Sequence, residues 1–310
     1  MVLAFVGLGV NTLFNWLLIW GHWGLPALGG AGCGWATAIG MWFALLALVI
    51  WTIFSPAYRD FYLWHGWSWP HWASQWRLLK IGLPMGGAAL AEVGAFSSIA
   101  VLVGRFGAVQ IAAHQVALNF SSIIFMIPMG LSSAMTIRVG QMLGPGDARA
   151  ARRVAWTGIA LGLLIALTAI PIILLGRQAI VTIYSSNREV QQLAANLLLF
   201  AAIWQLVDAA QVTGIGALRG YKITLAPMLL VFVAFWLFGI PLGAWLGYTG
   251  ITAPMGIYGF WIGLVTGLIL ISLGIVLVLW KVANALAPKG STAALEYERL
   301  LSCEKDSSLR

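Results

Sequence analysis

Long apolar runs, each separated from the next by a short cluster of glycine, proline or charged positions, recur along the chain at 2–20, 33–54, 81–103, 109–137, 154–175, 191–217, 225–246 and 255–280. An α-helix rises 1.5 Å per residue, so about 20 such residues cross the hydrocarbon core of a bilayer. The pattern predicts eight transmembrane helices in an all-α, polytopic membrane protein.

Polar positions inside these runs are few, which makes them informative. Of the nine acidic residues, Glu92 and Asp208 lie within spans. A carboxylate at that depth costs about 2.5–3.5 kcal/mol even on insertion scales, and is retained chiefly for ion, proton or substrate handling. Glu92 lies 12 residues beyond Lys80 and Asp208 lies 11 before Arg219, which places them about 18 and about 16 Å from the same membrane edge. Two carboxylates facing one cavity at that level cannot both stay ionised without a cation. The chemistry calls for a proton or an oxygen-liganded cation such as sodium. The plainer reading of each acid is a protonated helix-packing residue.

Gln205 and Gln211 sit three residues either side of Asp208 and nearly share its helix face. On the fourth predicted helix Gln115, Asn119 and Ser122 form a second polar stripe, continued by Met126 and Met129. Methionine is adaptable and polarizable, suited to varied apolar ligands, although at helical spacing it also fills cores. His114 reads as a hydrogen-bonded interhelical residue rather than a titrating relay.

An echo in the glycines bears on organisation. Gly21, Gly24 and Gly30 recur as Gly247, Gly250 and Gly256 at one offset of 226 residues, each set between two long helices. A six-helix repeat explains the spacing, with both copies in the same orientation. On that reading residues 1–54 are the last two helices of one lobe, 81–280 a complete second lobe, and 281–310 a tail, with four helices expected upstream. The connection 55–80, with Tyr58, Trp64, Trp67, Trp69, Trp72 and Trp76 among Arg59, Arg77 and Lys80, reads as an interfacial linker in which His65 and His71 have no ligand role. Gly239, Gly243 and Gly247, and Gly259, Gly263 and Gly267, give the small-residue pattern of close helix contact. Pro84, Pro128, Pro171 and Pro241 interrupt spans and mark candidate kinks.

Composition agrees with the pattern: 61% hydrophobic and 8% charged residues exclude a water-soluble domain with one core. The net charge of +8 follows topology. With the N-terminus inside, only Arg105, Arg177 and Arg188 fall in outer loops, so both ends are expected in the cytoplasm of a plasma membrane, with the lipid bilayer as a partner and without nucleic acid. Cys33 and Cys303 fall on opposite sides and have no metal spacing. The N-terminus lacks the basic region of a signal peptide. Neither HExxH nor a Walker loop is present, and Gly144-Pro145-Gly146-Asp147 reads as a cytoplasmic turn, so the chain is not expected to be an enzyme.

The run Gly82-Leu83-Pro84 followed by Glu92, then Ala112-Ala113-His114-Gln115 with Asn119, then Ile127-Pro128-Met129-Gly130 leading to Arg138-Val139-Gly140, resembles the second lobe of multidrug and toxic compound extrusion transporters. So does Gln205-Leu206-Val207-Asp208 with Gln211, ending in Leu218-Arg219-Gly220. The opening hairpin, with Asn15, Gly21, Pro26 and Gly30, is similar to the end of the first lobe, and the likeness covers roughly 1–285, closest to the NorM-type branch. The resemblance implies two six-helix lobes and expulsion of drugs or organic cations in exchange for sodium or protons, in a bacterial inner membrane, with no cofactor and no obligate protein partner. It implies that Glu92 and Asp208 bind the coupling cation, that Gln205, Gln211, Gln115, Asn119 and Trp204 shape the site, and that Met126 and Met129 face the drug. Two features depart from the family. The first-lobe helices that carry another coupling acid have no counterpart, so a truncated form is expected, and Trp204 stands where some sodium-coupled relatives have tyrosine. A lipid-linked sugar exporter of the same superfamily and a non-transporting membrane scaffold are the alternatives. The first would need basic residues mid-span, which the sequence lacks.

Overall fold

The computed structural model describes residues 2–24, 26–55, 71–250 and 253–286, and among them every regular element is helical. Eight helical runs are long and apolar enough to cross a membrane, as the hydrophobic pattern predicts. The chain divides into two compact units, Met1–Trp72 and Ala73–Arg310. Most of the expected linker, with Arg59 and His65, and the tail with Cys303 lie outside the described residues. Residues 72–80 of that linker are already helix.

The first unit is a hairpin of α1 (Val2–Trp20) and α2 (Gly30–Phe54). Asn11 donates its side-chain amide to the Ala36 carbonyl at 3.3 Å, and Asn15 reaches back to the Asn11 side-chain oxygen at 2.9 Å. The Asn11 and Asn15 amide groups are thus bonded inside the hairpin rather than left to lipid, while the Asn15 side-chain oxygen has no partner among the described residues. The turn between the helices needs left-handed backbone at Gly21, Trp23 and Gly24. Gly24 and its echo Gly250 share this conformation, with φ of 80° and 69°, so one of the three echoed pairs has the same local role in both hairpins.

The second unit contains α3 (Trp72–Val103), α4 (Ala108–Leu143), α5 (Ala148–Tyr184), α6 (Arg188–Gly220), α7 (Leu225–Phe232), a π-helical segment Val233–Gly239, α8 (Ile240–Tyr248) and α9 (Ile257–Leu286). Its core is α6, the most enclosed span, against which α4, α5 and α9 pack. Small residues set how closely they approach. A side chain at Gly216 would run into the Ser132 backbone on α4, and one at Gly214 into Ile275 on α9. Ser132 and Thr136 then donate their hydroxyls to the α6 carbonyls of Val212 and Gly216, at 2.7 and 2.9 Å. The predicted glycine seam is also present, with Gly263 of α9 directly against Gly239 and Gly243.

The helices outrun the apolar windows. α3 starts at Trp72 and α5 covers Ala148–Tyr184, because hydropathy marks only the hydrocarbon crossing while charged ends such as Arg77, Lys80, Arg149 and Arg152 continue the helix into the headgroup layer. Asp147 caps α5 by accepting from the Ala150 amide at 2.9 Å, which confirms the turn read at Gly144–Asp147. Of the four prolines, Pro84, Pro128 and Pro171 sit inside continuous helix. Only Pro241 accompanies a change of helix type, at the start of α8 directly after the π segment. Proline has no N–H to give to Leu237, so regular α-turns cannot continue through this point.

Candidate functional site

Asp208 lies near the middle of α6, where the polypeptide is most enclosed, and only 3% of its surface is exposed. Trp204, one turn earlier on the same face, brings its indole beside the Asp208 carboxyl. Gln205 and Gln211 are buried beside it, at 2% and 0% exposure. Neither polar atom of the Gln211 side chain has a hydrogen-bond partner among the described residues. An amide so placed keeps its carbonyl oxygen open to a ligand, because an unmade bond in the interior is costly.

Glu92 approaches this group from α3, half-buried, and its charge interacts with those of Asp208 and Arg219. Three contacts hold α3 at this level. Phe96 stacks on Trp204 with ring centroids 5.2 Å apart and meets Phe235 edge to face at 5.8 Å. Trp236 donates its indole N–H to the carbonyl of Ala91, the residue before Glu92, at 3.0 Å. Phe235 and Trp236 both belong to the π segment, so the irregular stretch of the chain is also the one that fixes the position of Glu92. A π-turn inside an otherwise regular span commonly marks such a point.

Sequence reasoning brought Glu92 and Asp208 to one level, with Trp204, Gln205 and Gln211 near Asp208 on its helix; in the structure all five belong to the second unit, Glu92 on α3 and the others on α6. The α4 residues belong to a different surface. His114, Ala117, Ser121, Pro128 and Ser132 occupy the buried face of α4, whereas Gln115, Asn119, Ser122, Met126 and Met129 are exposed. Met126 is 61% and Met129 48% exposed, so they are not core fillers here. Asn119 is bonded, its side-chain oxygen accepting from the Tyr184 hydroxyl at 3.1 Å. His114 departs from expectation. It is fully buried, yet neither ring nitrogen has a partner among the described residues, so it is not the hydrogen-bonded interhelical residue that its position suggested.

Arg219, Phe96 and Trp236 were missed as members of the site. Arg219 was read only as a cation at the membrane edge. Helical side chains lean toward the N-terminal end of their helix, so an arginine three turns past Asp208 extends back into the span. No local signal in the sequence marks Trp236, because its partner carbonyl lies on a distant helix.

The MatE family model matches residues 84–245, about half of the chain. The multidrug resistance protein NorM of Aliivibrio fischeri is 45% identical over 269 residues, which are 86% of this chain and 58% of that protein. PmpM of Pseudomonas aeruginosa is 44% identical over the same share of this chain and 56% of its own. MdtK of Yersinia pseudotuberculosis is 45% identical, with 59% of its length covered. The chain therefore spans somewhat more than half the length of these relatives. Among solved structures, a eukaryotic MATE transporter, AtDTX14, superposes with a TM-score of 0.81 at 21% identity, over 92% of this chain and 63% of that one. An outward-facing multidrug resistance MATE transporter gives 0.79 at 17% identity, over 90% and 61%. By the extent of the family match and the similarity to NorM, PmpM and MdtK, the chain belongs to the MatE family.

Proposed function

We propose that the chain supplies the coupling lobe and part of the partner lobe of a multidrug efflux secondary transporter, which exchanges drugs or organic cations for sodium or protons across a bacterial inner membrane. The observation that carries this reading is the acid pair. Asp208 is buried at the centre of the most enclosed helix and interacts with Glu92 on a second helix. Two like charges held there repel strongly in a medium of low dielectric constant, so a proton or a small cation relieves the pair and its release restores the repulsion.

The residues fit a small cation. Asp208 and Glu92 would supply carboxylate oxygens and Gln211 its unpartnered carbonyl oxygen, and oxygen donors suit sodium. Arg219 gives Glu92 an alternative positive partner when the site is not loaded. Substrate contact belongs to the other surface, the exposed α4 stripe of Gln115, Asn119, Met126 and Met129, whose thioethers suit varied apolar drugs. Coupling and drug contact thus use opposite faces of the α4–α6 packing, and a change in how these helices pack is felt at both.

Because the chain spans only part of its relatives' length, the test uses a chimera in which the four opening helices of Aliivibrio fischeri NorM precede it. In proteoliposomes the chimera should expel ethidium when a sodium or a pH gradient is imposed. Ethidium retention under both gradients, with the protein folded and correctly oriented, would contradict the proposal.

A further inference from the structure

His114 lies on the buried face of α4 with none of its surface exposed, and both ring nitrogens lack partners among the described residues. Trp261 of α9 meets it edge to face with ring centroids 5.9 Å apart. Trp261 is equally enclosed, and its indole nitrogen also lacks a partner among the described residues. Two touching, fully enclosed rings therefore carry three open polar atoms. Each unmade bond in a dry interior is costly, and native proteins rarely leave such groups together without a partner.

No nearby side chain is bonded to either ring. Ala113 and Ala117 flank His114 on α4, while Phe260, Leu264 and Val265 surround Trp261 on α9, and none of them has a side-chain donor or acceptor. Asn196 of α6 donates to the Tyr258 hydroxyl of α9 at 3.3 Å, and neither is bonded to His114 or Trp261. Water completes the chemistry. The indole N–H gives a hydrogen to a water oxygen, and that water gives one to the unprotonated imidazole nitrogen. The remaining imidazole N–H gives to a second water. A buried water needs two to four polar partners; the bridging water finds two in these rings, and the second water needs a further partner in the surrounding backbone.

We propose that His114 and Trp261 form a buried water-binding site between α4 and α9. Trp261 also packs against Trp204 at 5.8 Å, and Trp204 lies beside the Asp208 carboxyl. The waters therefore lie two ring contacts from the acid, toward the Ala108 end of α4. They add hydrated groups to a lobe whose core also encloses Asp208, Gln205 and Gln211. The site does not depend on the transport reading.

Radiolytic hydroxyl labelling of the purified chain in nanodiscs, without drug or gradient, tests the proposal. Bound water generates radicals where it sits, so His114 and Trp261 should be oxidised promptly despite their burial. Normalised to intrinsic reactivity, they should far exceed the equally buried Phe235 and Phe260. After rapid mixing into heavy-oxygen water they should take up oxygen from the original water, which transient opening of the helices would not give. His114→Phe should abolish prompt labelling of Trp261, Trp261→Phe should abolish that of His114, and His114→Gln should retain it at Trp261. If a variant does not fold, the rates in the unaltered chain decide. Normalised labelling of Trp261 no faster than that of Phe260, or uptake of heavy oxygen alone, would overturn the proposal.

Discussion

Trp204 sets how many oxygens a cation can find at Asp208. Its indole offers no lone pair to a metal ion, so on the proposed reading a bound sodium would rely on Asp208, Glu92 and Gln211. Trp204→Tyr would add a phenol oxygen at the same helix position. It should lower the sodium concentration that half-saturates efflux by about tenfold, or about 1.4 kcal/mol, with proton-driven efflux changed less. A sodium requirement unchanged by this replacement would mean that the coupling ion is not held beside Trp204. At this scale the sequence was informative about the acids, because a carboxylate inside an apolar run stands out whatever its surroundings. It was less informative about the amides. Gln115 and Gln211 look alike as polar residues at helical spacing, yet one is exposed and the other completely enclosed. Only the packing of α4 and α6 separates them. The open nitrogens of His114 were equally invisible, since a lone histidine in a span gives no indication of whether a partner faces it.

Between elements, glycine controls the distance. A Cβ at Gly263 would run into the Gly239 carbonyl oxygen and come within 2.6 Å of the Gly243 Cα, and backbone cannot yield as a flexible side chain does. Gly263→Ala should therefore destabilise the second unit by about 1–3 kcal/mol through overpacking. At Gly130 of α4 a Cβ would meet nothing within 4 Å. Gly130→Ala should be neutral or slightly stabilising, since alanine favours helix. Thermal unfolding of the two variants in detergent checks the pair, and equal melting temperatures would contradict the seam. The glycine repeat was readable from spacing alone because close helix contact demands small residues every fourth position. The π segment was not. Val233–Gly239 has an ordinary apolar composition, and its wide turns follow from Pro241 together with the need to seat Phe235 and Trp236 against α3.

For the whole molecule, basic residues give an orientation. Arg138, Arg149, Arg152 and Arg153 flank the α4–α5 turn, while the α5–α6 turn is bounded by Arg177 and Arg188. We propose that the first turn faces the cytoplasm. In a Cys33→Ala background, a membrane-impermeant maleimide applied to intact cells should label Ser186→Cys in the α5–α6 turn and leave Cys303 untouched until the membrane is opened. The reverse pattern would invert the topology. The number of spans needed only hydropathy, whereas the ends of the helices needed the structure, because interfacial turns rich in arginine and tryptophan carry helix without carrying apolar character.

The central claim is that the Asp208–Glu92 pair carries the coupling cation, and one substitution tests it most directly. Asp208→Asn keeps the volume and removes the charge. In the NorM-led chimera, gradient-driven ethidium efflux from proteoliposomes should fall to the level of protein-free vesicles, under sodium and pH gradients alike. Expression and melting temperature should stay near those of the parent. Efflux at the parental rate from the Asp208→Asn chimera would contradict the account.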